Sequence, residues 1–125
     1  MYKVYRMEQK QKQYTIDASG KTIGRVASEA AKALIGKTFP DYTPHIPSVV
    51  KVTVTNAKRI RMTEKKRLEK TYTHYSGHPG GLKKETLSSL IGRRGAGAAV
   101  RKAVERMLPR NTMRTARLKR LVVSE

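Results

Sequence analysis

The residues of this chain with the clearest chemistry are the arginines and lysines of its last third. Residues 93–120 contain ten lysines and arginines and a single acid, Glu105. Eight of the ten are arginines, whose planar guanidinium group can hold a phosphate through two parallel hydrogen bonds or stack on a base. A short basic run is usually a solvated surface, but this imbalance over 28 residues favours contact with a polyanion.

A second segment, residues 72–84, mixes aromatic rings, glycines and lysines. Rings can stack on unpaired bases, glycines let a phosphate approach the backbone, and lysines neutralise it. For Tyr72 and Tyr75 the alternative is that the rings pack in the core, and the sequence does not decide between the two interpretations. For Lys83 and Lys84 the alternative is a solvated face.

The tripeptide Gly20-Lys21-Thr22 lies between a predicted strand and a predicted helix, where a nucleotide-binding loop would stand. That motif needs another glycine five positions earlier, and Thr15 occupies the position. An ordinary turn, or a contact with one phosphate at the start of the helix, explains the tripeptide better. A small phosphotransferase built on Lys21 stays as a rival hypothesis.

The three histidines do not form a metal or catalytic motif. His74 and His78 are four residues apart, but glycine and proline flank His78, and the glutamate of a zinc-protease helix is absent. The nine acids are scattered singly and offer no carboxylate pair for acid–base catalysis. The sequence therefore predicts no enzyme, no metal, no cofactor and no small-molecule substrate.

Charge is the strongest global feature of the chain. Its 125 residues contain 28 lysines and arginines and 9 acids, a formal net charge of +19. Like charges on so small a body repel one another, and a nucleic acid that binds them relieves the repulsion. An acidic membrane surface would also do so, but it would call for a basic amphipathic helix or a lipidation signal.

Other classes are excluded by composition. No apolar run is long enough to span a membrane, and the first thirteen residues lack the hydrophobic stretch of a secretory signal. The chain has no cysteine, which excludes disulfides, a cysteine nucleophile and cysteine-ligated metals.

The hydrophobic pattern predicts a basic extended arm over residues 1–13 and a single domain over 14–125. The clearest helix spans 22–34, where apolar residues recur every three or four positions and Gly36 supplies a stop. Alternating valines predict a strand over 49–55 with at least one buried face. A strand, a turn and a helix in this order are the first half of a βαβ unit, which indicates the α/β class.

Shorter signals predict the remaining elements. They are strands at 14–16, 60–63, 68–75 and 121–123, helices at 84–91 and 98–108, a helical turn at 56–59 with Asn56 as its cap, turns at 17–20 and 65–67, and loops at 37–48 and 76–81.

Taken in order, several motifs resemble one known family. They are Asp17-Ala18-Ser19-Gly20-Lys21-Thr22-Ile23-Gly24-Arg25-Val26-Ala27, Gly36-Lys37, Tyr42-Thr43-Pro44-His45, Asn56-Ala57, His74-Tyr75-Ser76-Gly77-His78-Pro79-Gly80-Gly81-Leu82-Lys83, Ala103-Val104 with Met107-Leu108-Pro109, and Leu118-Lys119-Arg120-Leu121. The sequence resembles the ribosomal protein L-thirteen family of the large subunit, in its bacterial or organellar form, over about residues 14–123.

The resemblance implies a three-layer α/β/α sandwich around a small, mostly parallel or mixed, central sheet. It also implies a structural role: binding large-subunit ribosomal RNA during subunit assembly and translation, beside neighbouring ribosomal proteins, in the cytoplasm or in an organelle. No membrane is involved. A free-standing regulator that binds duplex DNA or messenger RNA is the other rival hypothesis.

The basic segments and the resemblance together predict which side chains contact rRNA. They are Arg25, Lys37, Tyr42, His45, Lys70, His74, Tyr75, His78, Lys83, Lys84, Arg93, Arg94, Arg110, Arg114, Arg117 and Lys119.

Overall fold

The structure is a computed structural model that describes residues 12–40, 42–45 and 49–125. Within these residues the elements are β1 (Lys12–Asp17), α1 (Ile23–Ile35), β2 (Val50–Thr55), a 3-10 turn (Ala57–Arg59), α2 (Glu64–Glu69), β3 (Thr71–Tyr75), β4 (Leu82–Thr86), α3 (Leu87–Arg94), α4 (Ala96–Met107), α5 (Arg114–Lys119) and β5 (Leu121–Val123).

The central sheet has three parallel strands in the order β1-β2-β5. Its register places Ile16 opposite Val54 and Val52 opposite Leu121, so these side chains share one buried face. The alternate residues, such as Thr15 and Lys51, are exposed or half-buried. The alternation of the valines therefore predicts both the strand and its buried face correctly.

Helix α1 packs against the sheet and against α4. Its small and branched residues, among them Val26, Ala27, Ala30 and Leu34, are fully buried and join one hydrophobic cluster with the sheet. The helix ends at the predicted stop, where Gly36 has a φ of 96° and its N–H donates to the carbonyls of Lys32 and Ala33.

Helices α3 and α4 meet at Gly95 and pack on each other. Leu87 and Leu90 of α3, with Ala99, Val100 and Val104 of α4, extend the same core. The buried residues thus form one hydrophobic cluster, which leaves the other face of α4 free to carry its cations.

Strands β3 and β4 form a separate antiparallel hairpin, in which His74 lies opposite Lys83 and Tyr75 opposite Leu82. The mixed α/β class and the parallel central sheet are confirmed, and the arrangement is compatible with an α/β/α sandwich.

Five elements differ from the sequence prediction. The strand predicted at 60–63 is not formed, and within it Arg61 makes only an isolated β-bridge with Thr22. The strand predicted at 68–75 begins only at Thr71, because Leu68 and Glu69 belong to helix α2. The charged turn at 65–67 is helix α2, whose first turn is capped by the Thr63 hydroxyl accepting from the N–H of Lys66 at 3.3 Å. The predicted helix at 84–91 begins instead as strand β4, and it becomes helical only from Leu87. Helix α5 lies in the basic segment for which no element is predicted.

Two smaller differences concern the ends of elements. Asn56 precedes the 3-10 turn in a left-handed conformation, but its amide donates to Asp17 at 3.0 Å rather than capping the turn. Strand β1 begins at Lys12, so the last two residues of the predicted arm belong to the sheet. The rest of that arm lies outside the described residues.

Candidate nucleic-acid interface

The hairpin presents the predicted stacking and phosphate-binding residues on its exposed surface. Tyr75 is 61% exposed and Leu82, directly opposite, is 56% exposed. In the loop between the strands, Gly77 and Gly80 have φ values of 83° and 75°, which only glycine adopts without strain, and added side chains there would meet open space. A phosphate could therefore approach this backbone closely.

Tyr72 belongs to the core rather than to the stacking surface. It is 9% exposed, and burial raises the pKa of its phenol. Three cations surround its ring: the Nζ atoms of Lys70 and Lys102 and the Cζ atom of Arg106 lie 5.8, 4.8 and 5.2 Å from its centroid. The contacts of Lys102 and Arg106 fasten the hairpin to α4.

A shallow groove of about 360 Å³ continues this positive region along α4 and the segment after it. We call it the basic groove, because four cations line it: Lys102, Arg106, Arg110 and Arg114. One acid, Glu105, also lines the groove, and its carboxylate lies 3.9 Å from the Arg114 guanidinium. Four cations against one carboxylate leave the groove positively charged and open to a polyanion.

Two cations of the basic groove, Lys102 and Arg106, are missing from the predicted contacts. The sequence does contain a signal for them, because basic residues recur every fourth position at 102, 106, 110 and 114. Residues four apart lie on one face of a helix, and the predicted helix 98–108 already placed the first two on such a face.

Most predicted contact residues have exposed side chains, but they do not form one cluster. The exposed ones are Arg25, Lys37, Tyr42, His45, Lys70, His74, Tyr75, His78, Lys83, Lys84, Arg93, Arg94, Arg110 and Lys119, whereas Arg114 is half-buried.

The exposed residues fall into separate regions. Those at 74–84 share the hairpin and its loop, and Arg110 joins Arg114 in the basic groove. The residues at 25–45 lie on α1 and the segment after it, outside both regions.

Arg93 forms an ion pair with Glu85, to which it donates two hydrogen bonds of 2.9 and 2.8 Å. That pairing holds the pKa of the Glu85 carboxyl below its usual value.

Arg117 differs from the other predicted contact residues, because its side chain is 4% exposed and lies on the inward face of α5. Its Nε atom has no hydrogen-bond partner among the described residues. The side chain therefore contributes to the packing of α5.

The turn at Gly20 is not a nucleotide-binding loop. Its backbone N–H groups are already used: Ser19 donates to the Asp17 carboxylate, Gly20 to the carbonyl of Arg59, and Lys21 to the carbonyl of Ala18, all within 3.2 Å. These bonds leave no cradle of free N–H groups for a triphosphate.

Among residues 12–40, 42–45 and 49–125, no three or more acidic or histidine side chains gather in a way that could hold a metal ion. No helix in the same ranges is long and apolar enough to cross a membrane.

Comparison with known proteins gives a consistent result. The family described as Ribosomal protein L13 matches residues 11–125. Large ribosomal subunit protein uL13 of Moorella thermoacetica is 42% identical over 116 residues, which cover 93% of this chain and 80% of that protein. The uL13 protein of Nitrosococcus oceani is 44% identical over 88% of this chain and 77% of its own length. This chain belongs to the ribosomal protein L13 family, whose members are structural ribosomal proteins and not enzymes.

Proposed function

We propose that this protein binds large-subunit ribosomal RNA and thereby supports assembly of the large subunit and translation. It works beside neighbouring ribosomal proteins in cytoplasmic ribosomes, without a cofactor or a small-molecule substrate. The predicted side chains that remain exposed make the contacts, together with Lys102 and Arg106. Arg117 holds α5 in place.

The observation that carries this proposal is the continuity of positive charge between the hairpin and the basic groove. The ring of Tyr72 lies among Lys70, Lys102 and Arg106, so β3 is held against the same face of α4 that begins the groove. His74 and Lys83 extend this face along the hairpin, because their register places them on the side of Tyr72. A folded RNA could contact the hairpin loop and the groove at once.

The experiment is the salt dependence of binding to large-subunit rRNA. If six to ten phosphates are contacted, affinity falls by about 10³–10⁵ between about 50 and 200 mM salt. The variant Arg106→Gln/Arg110→Gln removes two groove cations and is expected to lower the slope of log affinity against log salt by roughly 1–2. Its matched control is Lys32→Gln/Lys65→Gln, which removes two exposed cations outside the groove and the hairpin.

A shallow slope for the wild-type protein would contradict RNA binding through phosphates. Equal slopes for Arg106→Gln/Arg110→Gln and the control would contradict the groove as the binding surface. Binding of duplex DNA as tight as that of rRNA would favour the rival hypothesis of a free-standing regulator.

A further inference from the structure

A second cavity, of about 530 Å³, shares no lining residue with the basic groove. It lies where the 3-10 turn, helix α2 and the junction between α3 and α4 come together. Ile60, which is 7% exposed, and the half-buried Ile91 contribute apolar lining. Its volume is in the range of cavities that hold small organic molecules, so it exceeds what a bare phosphate needs and accommodates a whole nucleotide.

The charged lining of this cavity is unbalanced. Three cations, Lys58, Arg67 and Arg94, share it with one acid, Glu125. The Lys58 Nζ atom lies 3.3 Å from a Glu125 carboxylate oxygen, in an ion pair whose lysine side chain is 72% exposed. Among the described residues, neither Arg67 nor Arg94 forms an ion pair. Two guanidinium groups are therefore available to an incoming anion.

The Glu125 carboxylate lines this cavity and lies beside Gly95, with its side chain 36% exposed. A Cβ atom at Gly95 would collide with that carboxylate, and Gly95 has a φ of 87°, so only glycine fits here. Gly95 immediately precedes α4, whose first turn contains no acidic residue. The carboxylate thus lies where an anion is favoured by the cations and by the start of the helix.

We propose that this cavity is a second RNA-binding site, which takes one nucleotide with its phosphate between Arg67 and Arg94. The Glu125 carboxylate is an internal competitor that the phosphate displaces. The nucleoside lies over the apolar lining at Ile60 and Ile91. This inference rests on the proposed function and adds to it a second point of attachment, which is separate from the hairpin and the basic groove.

The first test compares charge-matched variants of the full chain in binding to large-subunit rRNA. Arg67→Gln/Arg94→Gln is expected to reduce affinity several-fold at about 100 mM salt and to lower the salt slope by about 0.7–0.9, the value for one phosphate contact. Lys65→Gln/Lys66→Gln removes the same charge from the same region, on helix α2 and outside the cavity lining, and is expected to change both quantities less. The thermal midpoints of both variants check that each is folded.

The second test removes the competitor. Glu125→Gln is expected to raise affinity for rRNA by about threefold, more than Glu69→Gln, which removes one exposed acid of α2 outside the cavity. In the Arg67→Gln/Arg94→Gln background this advantage should disappear, because the two guanidinium groups that would bind the incoming phosphate are gone. An equal gain from Glu125→Gln in both backgrounds would overturn the role of competitor.

A cross-link gives a direct readout. Gly92 lines the cavity, and a side chain added there meets nothing within 4 Å. The natural chain has no cysteine, so a cysteine introduced at position 92 can be labelled specifically. A photoreactive probe on Gly92→Cys is expected to cross-link to rRNA, and to lose this cross-link when Arg67 and Arg94 are replaced.

The outcomes separate this inference from the proposed function. A shallow salt slope for the wild-type protein would contradict both. A steep wild-type slope, with Arg67→Gln/Arg94→Gln equal to its control and no cross-link from position 92, would overturn the cavity site alone.

Discussion

Two tyrosines of the same strand illustrate how position decides the role of a residue. Tyr72 and Tyr75 are three residues apart on β3, so their side chains point to opposite faces of the hairpin. Tyr72 is buried among cations of α4, whereas Tyr75 lies open beside Leu82. Residue type alone could not separate them, because either ring could stack on a base or pack in the core.

This difference predicts opposite effects of the same substitution. Tyr72→Ala should lower the free energy of unfolding by about 3 kcal/mol, since it removes a buried ring. Tyr75→Ala should change it by less than about 0.5 kcal/mol, but should weaken RNA binding by about 1–3 kcal/mol through loss of a stacked base. Denaturant unfolding and rRNA binding of both variants check this. Equal destabilisation by the two would contradict the placement of the rings.

The pair formed by Glu85 and Arg93 predicts a pH dependence of stability. The two hydrogen bonds from Arg93 lower the pKa of Glu85 below its ordinary 4.5 in the folded protein only. The resulting stabilisation is present above pH 4.5 and is lost as the pH falls through the lowered pKa. Glu85→Gln should therefore reduce the thermal midpoint at neutral pH and match the wild type in acid.

Glu69→Gln is the control for that measurement, because Glu69 is exposed and no ion pair joins it to another described residue. A midpoint difference between wild type and Glu85→Gln that persists unchanged into acid would contradict the pairing.

At the scale of elements, the sequence predicts those whose side chains enter the core. Helix α1, strand β2 and helix α4 each have a periodic apolar face, and the structure confirms all three. Strand β4 has no such face: its lysines and glutamate favour a helix locally, and only pairing with β3 makes it a strand. Helix α5 is hidden from the pattern in the same way, because half of its six residues are basic.

The candidate interface also contains features that the sequence predicts and features that it does not. Exposure of the hairpin lysines, Lys83 and Lys84, could be predicted, because a phosphate contact and a solvated face both require it. The burial of Arg117 could not, since it depends on which side of α5 faces the core. The cavity between Arg67 and Arg94 also has no sequence signal, because contacts between elements distant in the chain create it. Strand order was likewise beyond the sequence pattern, which contains no register information.

The side chain of Arg101 connects α4 to the last two elements of the chain. Its guanidinium donates hydrogen bonds to the carbonyls of Leu118 and Leu121, at 3.2 and 3.4 Å, and so ties α4 to α5 and β5. Arg101→Met keeps the apolar stem and should cost about 1 kcal/mol of unfolding free energy. Amide hydrogen exchange in β5 should become faster, whereas Lys119→Met, at an exposed position of α5, should leave it unchanged.

At the scale of the whole molecule, charge sets the stability as well as the partner. A formal net charge of +19 on 125 residues means that repulsion weakens the folded state in dilute buffer. Added salt screens this repulsion, so raising sodium chloride from about 50 to about 500 mM should raise the thermal midpoint by several degrees. A midpoint that falls with salt would show that attractive ion pairs dominate instead.

We propose that this protein is an RNA-bound constituent of the large ribosomal subunit. Its molar ratio to large-subunit rRNA can be measured by quantitative mass spectrometry in large subunits purified from its own organism at moderate salt. We expect about one copy per subunit. Large subunits that lack the protein, while it sediments free or on other nucleic acids, would contradict it.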